Sequence, residues 1–177
     1  HELASGGMGT VYLATSTGQA GFRRFVAVKR MHRHLARDPE FVEMFLDEAR
    51  VASELRHPAV VPVIDVVDDQ GELLLVMDYV EGILLDRMLD AARECQEPVP
   101  HEVAVRIFLD ALAGTHSAHE ARHATGQRLG IVYRDLSPHT LLVGADGSTR
   151  ILDFGIAHAA GKMHQTRAGV LRGKANY

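Results

Sequence analysis

The sequence has one cysteine, Cys95, no tryptophan, and an aromatic content of only 6%. A single thiol excludes an intrachain disulfide and a cysteine-built zinc cage, which agrees with a reducing compartment such as the cytoplasm. No block of lysine and arginine occurs, and the formal net charge is −4 with the histidines neutral. That removes the electrostatic footprint of a nucleic-acid binder. Apolar runs such as Leu73 to Met77 are strand-sized, far short of the ~20 residues that span a bilayer. No secretory leader is visible, so no direct membrane contact is expected in this segment. The chain starts at His1 rather than methionine, so both ends are expected to be fragment boundaries, and a longer parent is free to carry an anchor elsewhere.

What is present suits a globular domain with a buried core: 177 residues, 46% hydrophobic and 24% charged. Leu3 to Ser5, the glycine cluster Gly6-Gly7-Met8-Gly9 and Thr10 to Thr15 predict a hairpin with a glycine-rich tip. Phe22 to Met31 predicts another strand. Asp38-Pro39 opens a helix reaching about Leu55, with proline at an early position. Val60 to Val67 and Leu73 to Tyr79 predict strands joined by the polar turn Asp68-Asp69-Gln70-Gly71. From Ile83 the period becomes helical, with helices over Ile83 to Glu94 and His101 to about Ala121. Short strands are expected at Ile131-Val132, Leu141 to Val143 and Arg150 to Leu152, and an irregular chain from His158 onward. Strands with one embedded helix, followed by helices with a few short strands, suggest two lobes joined near Asp78 to Gly82.

Five elements carry chemistry. The glycine cluster lets backbone approach a phosphate and leaves amides free to face it, although a plain tight turn has the same composition. In the strand Val26-Ala27-Val28-Lys29, Phe25, Ala27 and Lys29 share one face, leaving room for a flat ligand beside an anion; alone, Lys29 would read as a surface lysine. On the helix that follows, Phe41, Phe45, Glu48, Ala52 and Leu55 form one face. A carboxylate within that apolar stripe needs a partner, and Lys29 is the natural one unless the helix tilts Glu48 to its edge. Tyr133-Arg134-Asp135-Leu136-Ser137-Pro138-His139-Thr140 and Asp153-Phe154-Gly155 each follow a short strand and offer a carboxylate on a loop. Two such acids divide the work of phosphoryl transfer, one orienting a hydroxyl nucleophile and the other holding magnesium on the phosphates.

In this order the elements resemble a protein kinase, and specifically a bacterial serine/threonine kinase. Gly6-Gly7-Met8-Gly9-Thr10-Val11-Tyr12, Arg56-His57-Pro58 and Val76-Met77-Asp78-Tyr79-Val80-Glu81-Gly82 are typical of that family. Gly130-Ile131-Val132-Tyr133-Arg134-Asp135-Leu136-Ser137-Pro138 resembles a branch frequent in myxobacteria. The resemblance implies an α+β, two-lobe fold. A small antiparallel sheet lobe with one helix would occupy residues 1–80, and the first part of a helical lobe, truncated in the activation segment, residues 81–177. It implies ATP and Mg2+ as cofactors and a protein with serine or threonine as the substrate. Gly6, Gly7 and Gly9 would cover the phosphates, and Val11 and Ala27 would belong to the nucleotide site. Lys29, held by Glu48, would contact the α- and β-phosphates. Met77 would be the gatekeeper, with the backbone of Asp78 and Val80 on adenine. Asp135 would be the catalytic base, Asp153 the main magnesium ligand, and Arg134 a sign of activation by loop phosphorylation, with Thr166 the nearest acceptor.

The chain departs from the family at five positions. Ala4 replaces the first glycine of the G-x-G-x-x-G pattern. Thr140 stands where the family has the asparagine that is the second magnesium ligand, which supplies the alternative of a pseudokinase, a nucleotide-binding or scaffolding module. Tyr133 replaces a histidine and is expected to pack beneath Phe154. Ser137 replaces a lysine while Lys174 replaces a threonine of the activation segment. Charge on the transferred phosphoryl needs a cation, so Lys174 is expected to supply it with Ser137 as its hydrogen-bond partner. A competing pattern, His119-Glu120-Ala121-Arg122-His123, matches the H-E-x-x-H of zinc proteases. It falls at a predicted helix end with no third ligand following, and a solvated helix terminus is the expectation there.

Overall fold

The computed structural model describes residues 1–123, 125–133 and 136–152, and of Glu48 the backbone alone. It divides into two compact units, residues 1–53 with 61–80 and residues 54–60 with 81–177.

The first unit is built on an antiparallel five-stranded sheet in the order β1-β2-β3-β5-β4. Its strands are β1 (Glu2–Ser5), β2 (Gly9–Thr17), β3 (Arg23–Met31), β4 (Val63–Asp69) and β5 (Glu72–Asp78). The β2–β3 ladder runs without a break from Gly9 opposite Met31 to Thr17 opposite Arg23. Antiparallel neighbours need only short connections, and the tightest joins β4 to β5. There Gln70 and Gly71 both have positive φ, 54° and 84°, and Asp68 Oδ1 accepts the Gly71 N–H at 2.8 Å. Two successive left-handed residues match the twist of the flanking strands. The helix α1 (Pro39–Glu54) begins at proline, whose missing N–H is one of the unpaired donors of a first turn in any case. Phe45, Ala49 and Ala52 are buried on it at i, i+4 and i+7.

The second unit holds α2 (Leu85–Cys95), α3 (His101–Glu120) and a three-stranded antiparallel sheet β6-β7-β8 made of Gly82–Leu84, Leu141–Gly144 and Thr149–Ile151. Ile83 and Leu84, read from the sequence as the start of a helix, are strand residues opposite Val143 and Leu142. No strand forms at Ile131-Val132; Ile131 is instead one of the most buried side chains of the unit. α2 ends where Gln96 turns left-handed and returns its N–H to Arg93 O, with Cys95 exposed beside it.

α3 packs on β8 through Gly114, where a Cβ would come within 2.8 Å of Ala59 O and 2.9 Å of Ile151 Cδ1. Asp110 fixes the same contact by accepting the Thr149 N–H at 2.9 Å. Residues 59–60 are drawn into this unit because Ile151 donates its N–H to Ala59 O at 2.8 Å and Val60 bridges Ile151 in parallel. Ile107, Ala111, Gly114 and Ala118 form the buried stripe of α3, whereas Val105, Phe108, Leu109 and Leu112 are exposed. Apolar residues thus lie on more than one side of α3, unlike the single stripe of a purely surface helix. The turn after β7 is held by Asp146, which accepts from Ser148 and Arg150. The Arg150 guanidinium at 2.6 Å holds its carboxyl well below the usual carboxylate range. A depressed carboxylate of this kind supports the fold above its unfolded pKa and loses that support as pH falls.

Candidate active site

In the first unit, strand register collects five of the side chains that sequence reasoning singled out or that neighbour them. Val11 lies opposite Lys29, Ala27 opposite Met77, and Lys29 opposite Leu75. Residues paired directly, or two apart along a strand, share a face, so Val11, Ala27, Lys29, Leu75 and Met77 line one face across three adjacent strands. Lys29 is 6% exposed and Met77 7%, while Val11 and Ala27 are half-buried. Such a surface is flat, apolar and closed at one end by a cation. Glu48 lies on α1 one residue before the buried Ala49, and its side chain lies outside the described residues.

At one end of this face is the glycine turn. Ser5 pairs with Thr10, the Gly6 N–H donates to Gly9 O at 2.9 Å, and the two hydroxyls of Ser5 and Thr10 are 3.1 Å apart. The three glycines have different reasons. At Gly9 a Cβ would overlap the Arg30 carbonyl, so β2 approaches β3 as closely as it does only without a side chain. At Gly6 and Gly7 a Cβ would meet nothing within 4 Å. The Gly7 N–H has no hydrogen-bond partner among the described residues. At the other end, Asp78 donates its N–H to Pro62 O at 3.0 Å, and its carboxylate lies 3.5 Å from Arg24. The Val80 N–H and C=O have no partner among the described residues. Open backbone donors at both ends of an apolar face suit a molecule that is flat and aromatic at one end and anionic at the other.

In the second unit, the loop Ser137-Pro138-His139-Thr140 is a single 3₁₀ turn running into β7. The Thr140 hydroxyl accepts the Ser137 N–H at 3.1 Å and donates to Ser137 O at 3.0 Å, and the Thr140 N–H donates to Ser137 O at 2.9 Å. Ser137 is buried, at 6% exposure. Thr140 thus closes the turn it terminates, a task that its position as a candidate metal ligand did not suggest. His139 Nδ1 lies 2.8 Å from Asp86 Oδ2 and ties the turn to the start of α2. This contact was missed, since nothing local relates residues 53 apart in the sequence.

Leu152, the last residue before Asp153, is held on both sides. Its N–H donates to Thr140 O at 2.8 Å, and its C=O accepts the Tyr133 hydroxyl at 2.9 Å. The tyrosine that replaces the usual histidine therefore holds the residue that precedes Asp153 in the sequence. Tyr133→Phe keeps the ring and removes the bond. It is expected to cost about 1 kcal/mol of stability, a few degrees in the unfolding midpoint, and to lower turnover more than nucleotide affinity. Calorimetry and steady-state kinetics on the full-length protein check this.

Arg134, Asp135, the Asp153-Phe154-Gly155 motif, Thr166 and Lys174 lie outside the described residues, as does any contact of Tyr133 with Phe154 or of Ser137 with Lys174. The zinc-protease pattern lacks its helix. α3 ends at Glu120, and His123 lies beyond it, donating its N–H to Gln127 O at 2.8 Å, so His119 and His123 do not share a helical face. Among the described residues no cluster of three or more metal-ligating side chains occurs, and no helix is long and apolar enough to cross a membrane.

The chain belongs to the protein kinase domain family, whose model matches residues 1–177. It is 42% identical over 176 residues to the tyrosine-protein kinase MasK of Myxococcus xanthus, spanning 99% of this chain and 27% of that one. It is 35% identical over 180 residues to the serine/threonine-protein kinase PknA of Mycobacterium tuberculosis, spanning 99% and 38%. The fold is similar to the crystal structure of the M. tuberculosis PknI kinase domain, with a TM-score of 0.68, 29% identity, and coverage of 88% of this chain and 57% of that one. The chain thus spans well under half the length of these curated relatives and somewhat more than half of the solved domain.

Proposed function

We propose that this chain is the nucleotide-binding and catalytic-loop part of a kinase that moves the γ-phosphoryl group of ATP, with magnesium, onto serine or threonine of a protein. The supporting observation is the shared face of Val11, Ala27, Lys29 and Met77, bounded by the open Gly7 and Val80 backbone groups. In this reading residues 1–80 form the smaller lobe and 81–177 the first part of the larger. Gly6, Gly7 and Gly9 cover the phosphates, Lys29 held by Glu48 contacts them, and the Asp78 and Val80 backbone receives adenine. Asp135 accepts the proton of the attacking hydroxyl, and Lys174 beside Ser137 neutralises charge on the group in flight. Asp153 is the main magnesium ligand, with Thr140 as the second. Bound magnesium would supply charge neutralisation on the phosphate oxygens. The cytoplasm is the compartment this reading favours, in keeping with the single thiol of the sequence.

The test is incubation of the full-length protein with γ-labelled ATP beside an Asp153→Asn variant, followed by phosphoamino-acid analysis. Label on serine and threonine, lost in Asp153→Asn, is the expected result. Label on tyrosine alone would reassign the acceptor, an outcome made concrete by the name of MasK. Nucleotide binding without label in either protein would favour a pseudokinase, the reading to which threonine at 140 points.

A further inference from the structure

We propose that His32 is a positioning residue for the nucleotide phosphates, acting through the glycine turn. The inference rests on the kinase reading of that turn and goes beyond it, because His32 lies outside every motif of the sequence.

His32 follows the last residue of β3 and grips the turn twice. Its backbone N–H donates to Met8 O at 3.1 Å, continuing the ladder one step past Gly9 and Met31. Its ring reaches back across 26 residues, with Nε2 at 2.8 Å from Gly6 O. A carbonyl oxygen only accepts, so Nε2 carries the hydrogen. The ring is steadied by His34, stacked at 5.6 Å between centroids and 15° between planes.

The consequence lies in the planarity of the peptide. In a trans peptide, C=O of one residue and N–H of the next point in opposite directions. Drawing Gly6 O toward His32 therefore turns the Gly7 N–H away from it. That N–H has no partner among the described residues, and the turn itself is uncrowded, with nothing within 4 Å of a Cβ position at Gly6 or Gly7. Glycine flanked by glycine has the widest choice of backbone angles in the chain, and a free turn would sample many of them. The imidazole selects the peptide orientation that leaves a donor available to an anion. Ordering the turn before the ligand arrives lowers the entropy cost of binding, and the benefit falls on ligands that carry phosphates.

The experiment titrates the full-length protein with ATP, ADP and adenosine by calorimetry, in wild type, His32→Ala and His32→Gln. Loss of one hydrogen bond to a mobile turn is expected to weaken ATP and ADP by about three- to tenfold in His32→Ala. Adenosine affinity and the unfolding midpoint should stay as in wild type, which a merely structural role would not predict. Glutamine offers an Nε2 donor at similar reach, and His32→Gln should recover most of the loss. The proposal is overturned if His32→Ala binds ATP as wild type does, if adenosine weakens as much as ATP, or if His32→Gln recovers nothing. Absence of nucleotide binding in wild type would overturn the underlying kinase reading as well.

Discussion

Lys29→Met in the full-length protein is expected to lower phosphoryl transfer at saturating ATP by about a hundredfold or more, with a much smaller change in ATP affinity. The argument starts from burial. Lys29 is 6% exposed on a face otherwise formed by Val11, Ala27, Leu75 and Met77. An ammonium group in such surroundings is costly to keep charged without compensation. Methionine fits the same space but removes the ammonium from the interaction Lys29 makes, so some loss of stability is expected beside the loss of transfer. On the proposed reading adenine is received by backbone and apolar surface, and the substitution leaves that part of the affinity intact. What is lost is orientation of the phosphates, and orientation enters the rate rather than the binding constant. Measurement of kcat alongside nucleotide titration decides the matter, and equal turnover in variant and wild type would reject the role.

Gly9→Ala should damage the first unit, whereas Gly6→Ala and Gly7→Ala should not. The added methyl at Gly9 would overlap the Arg30 carbonyl and lie 3.3 Å from Met31 Cα. Both obstacles are backbone, and both belong to a ladder of nine consecutive pairs, so relief requires opening its end. Forcing a methyl into such a site costs about 1–3 kcal/mol, which is about 2–4 °C of unfolding midpoint per kcal/mol for a body of this size. His32, whose N–H bonds to Met8 O beside that end, would be displaced along with the turn. At Gly6 and Gly7 the methyl enters open space and the change should stay within about 0.5 kcal/mol. Thermal unfolding of the three variants side by side separates a glycine needed for sheet approach from glycines needed for mobility. Equal midpoints would show that the strands yield more easily than their register suggests.

These contrasts mark where sequence is informative. Alternation around Ala27 and Lys29 revealed the face they share, because a strand puts every second side chain on one side whatever its partners. Proline at 39 and the stripe through Phe45 and Ala52 revealed α1 for a similarly local reason. Ile83 and Leu84 misled because a short apolar run reads as either helix or strand until its partner is known. Theirs, Leu142 and Val143, lies some 60 residues on. Ile131 and Val132 have strand composition yet no ladder, since burial rather than pairing is what Ile131 answers to. Thr140 was legible as a departure from a motif but not as the closure of its own turn with Ser137. The histidine on the glycine turn was invisible for the plainest reason. Residues 6 and 32 meet only because the β1–β2 and β2–β3 registers bring them together.

The exposed cysteine at the end of α2 has a practical consequence. Because Cys95 is the chain's one thiol, a maleimide dye or spin label can be attached to these 177 residues at a single known point without removing any other sulfur. The label would sit at a helix end in the second unit, away from the glycine turn, Lys29 and the 137–140 turn in sequence. A spectroscopic signal from it would report on that unit without touching the groups proposed to act on the nucleotide. The same thiol, left unmodified in air, is a route to covalent dimers, so preparations of this chain call for a reductant.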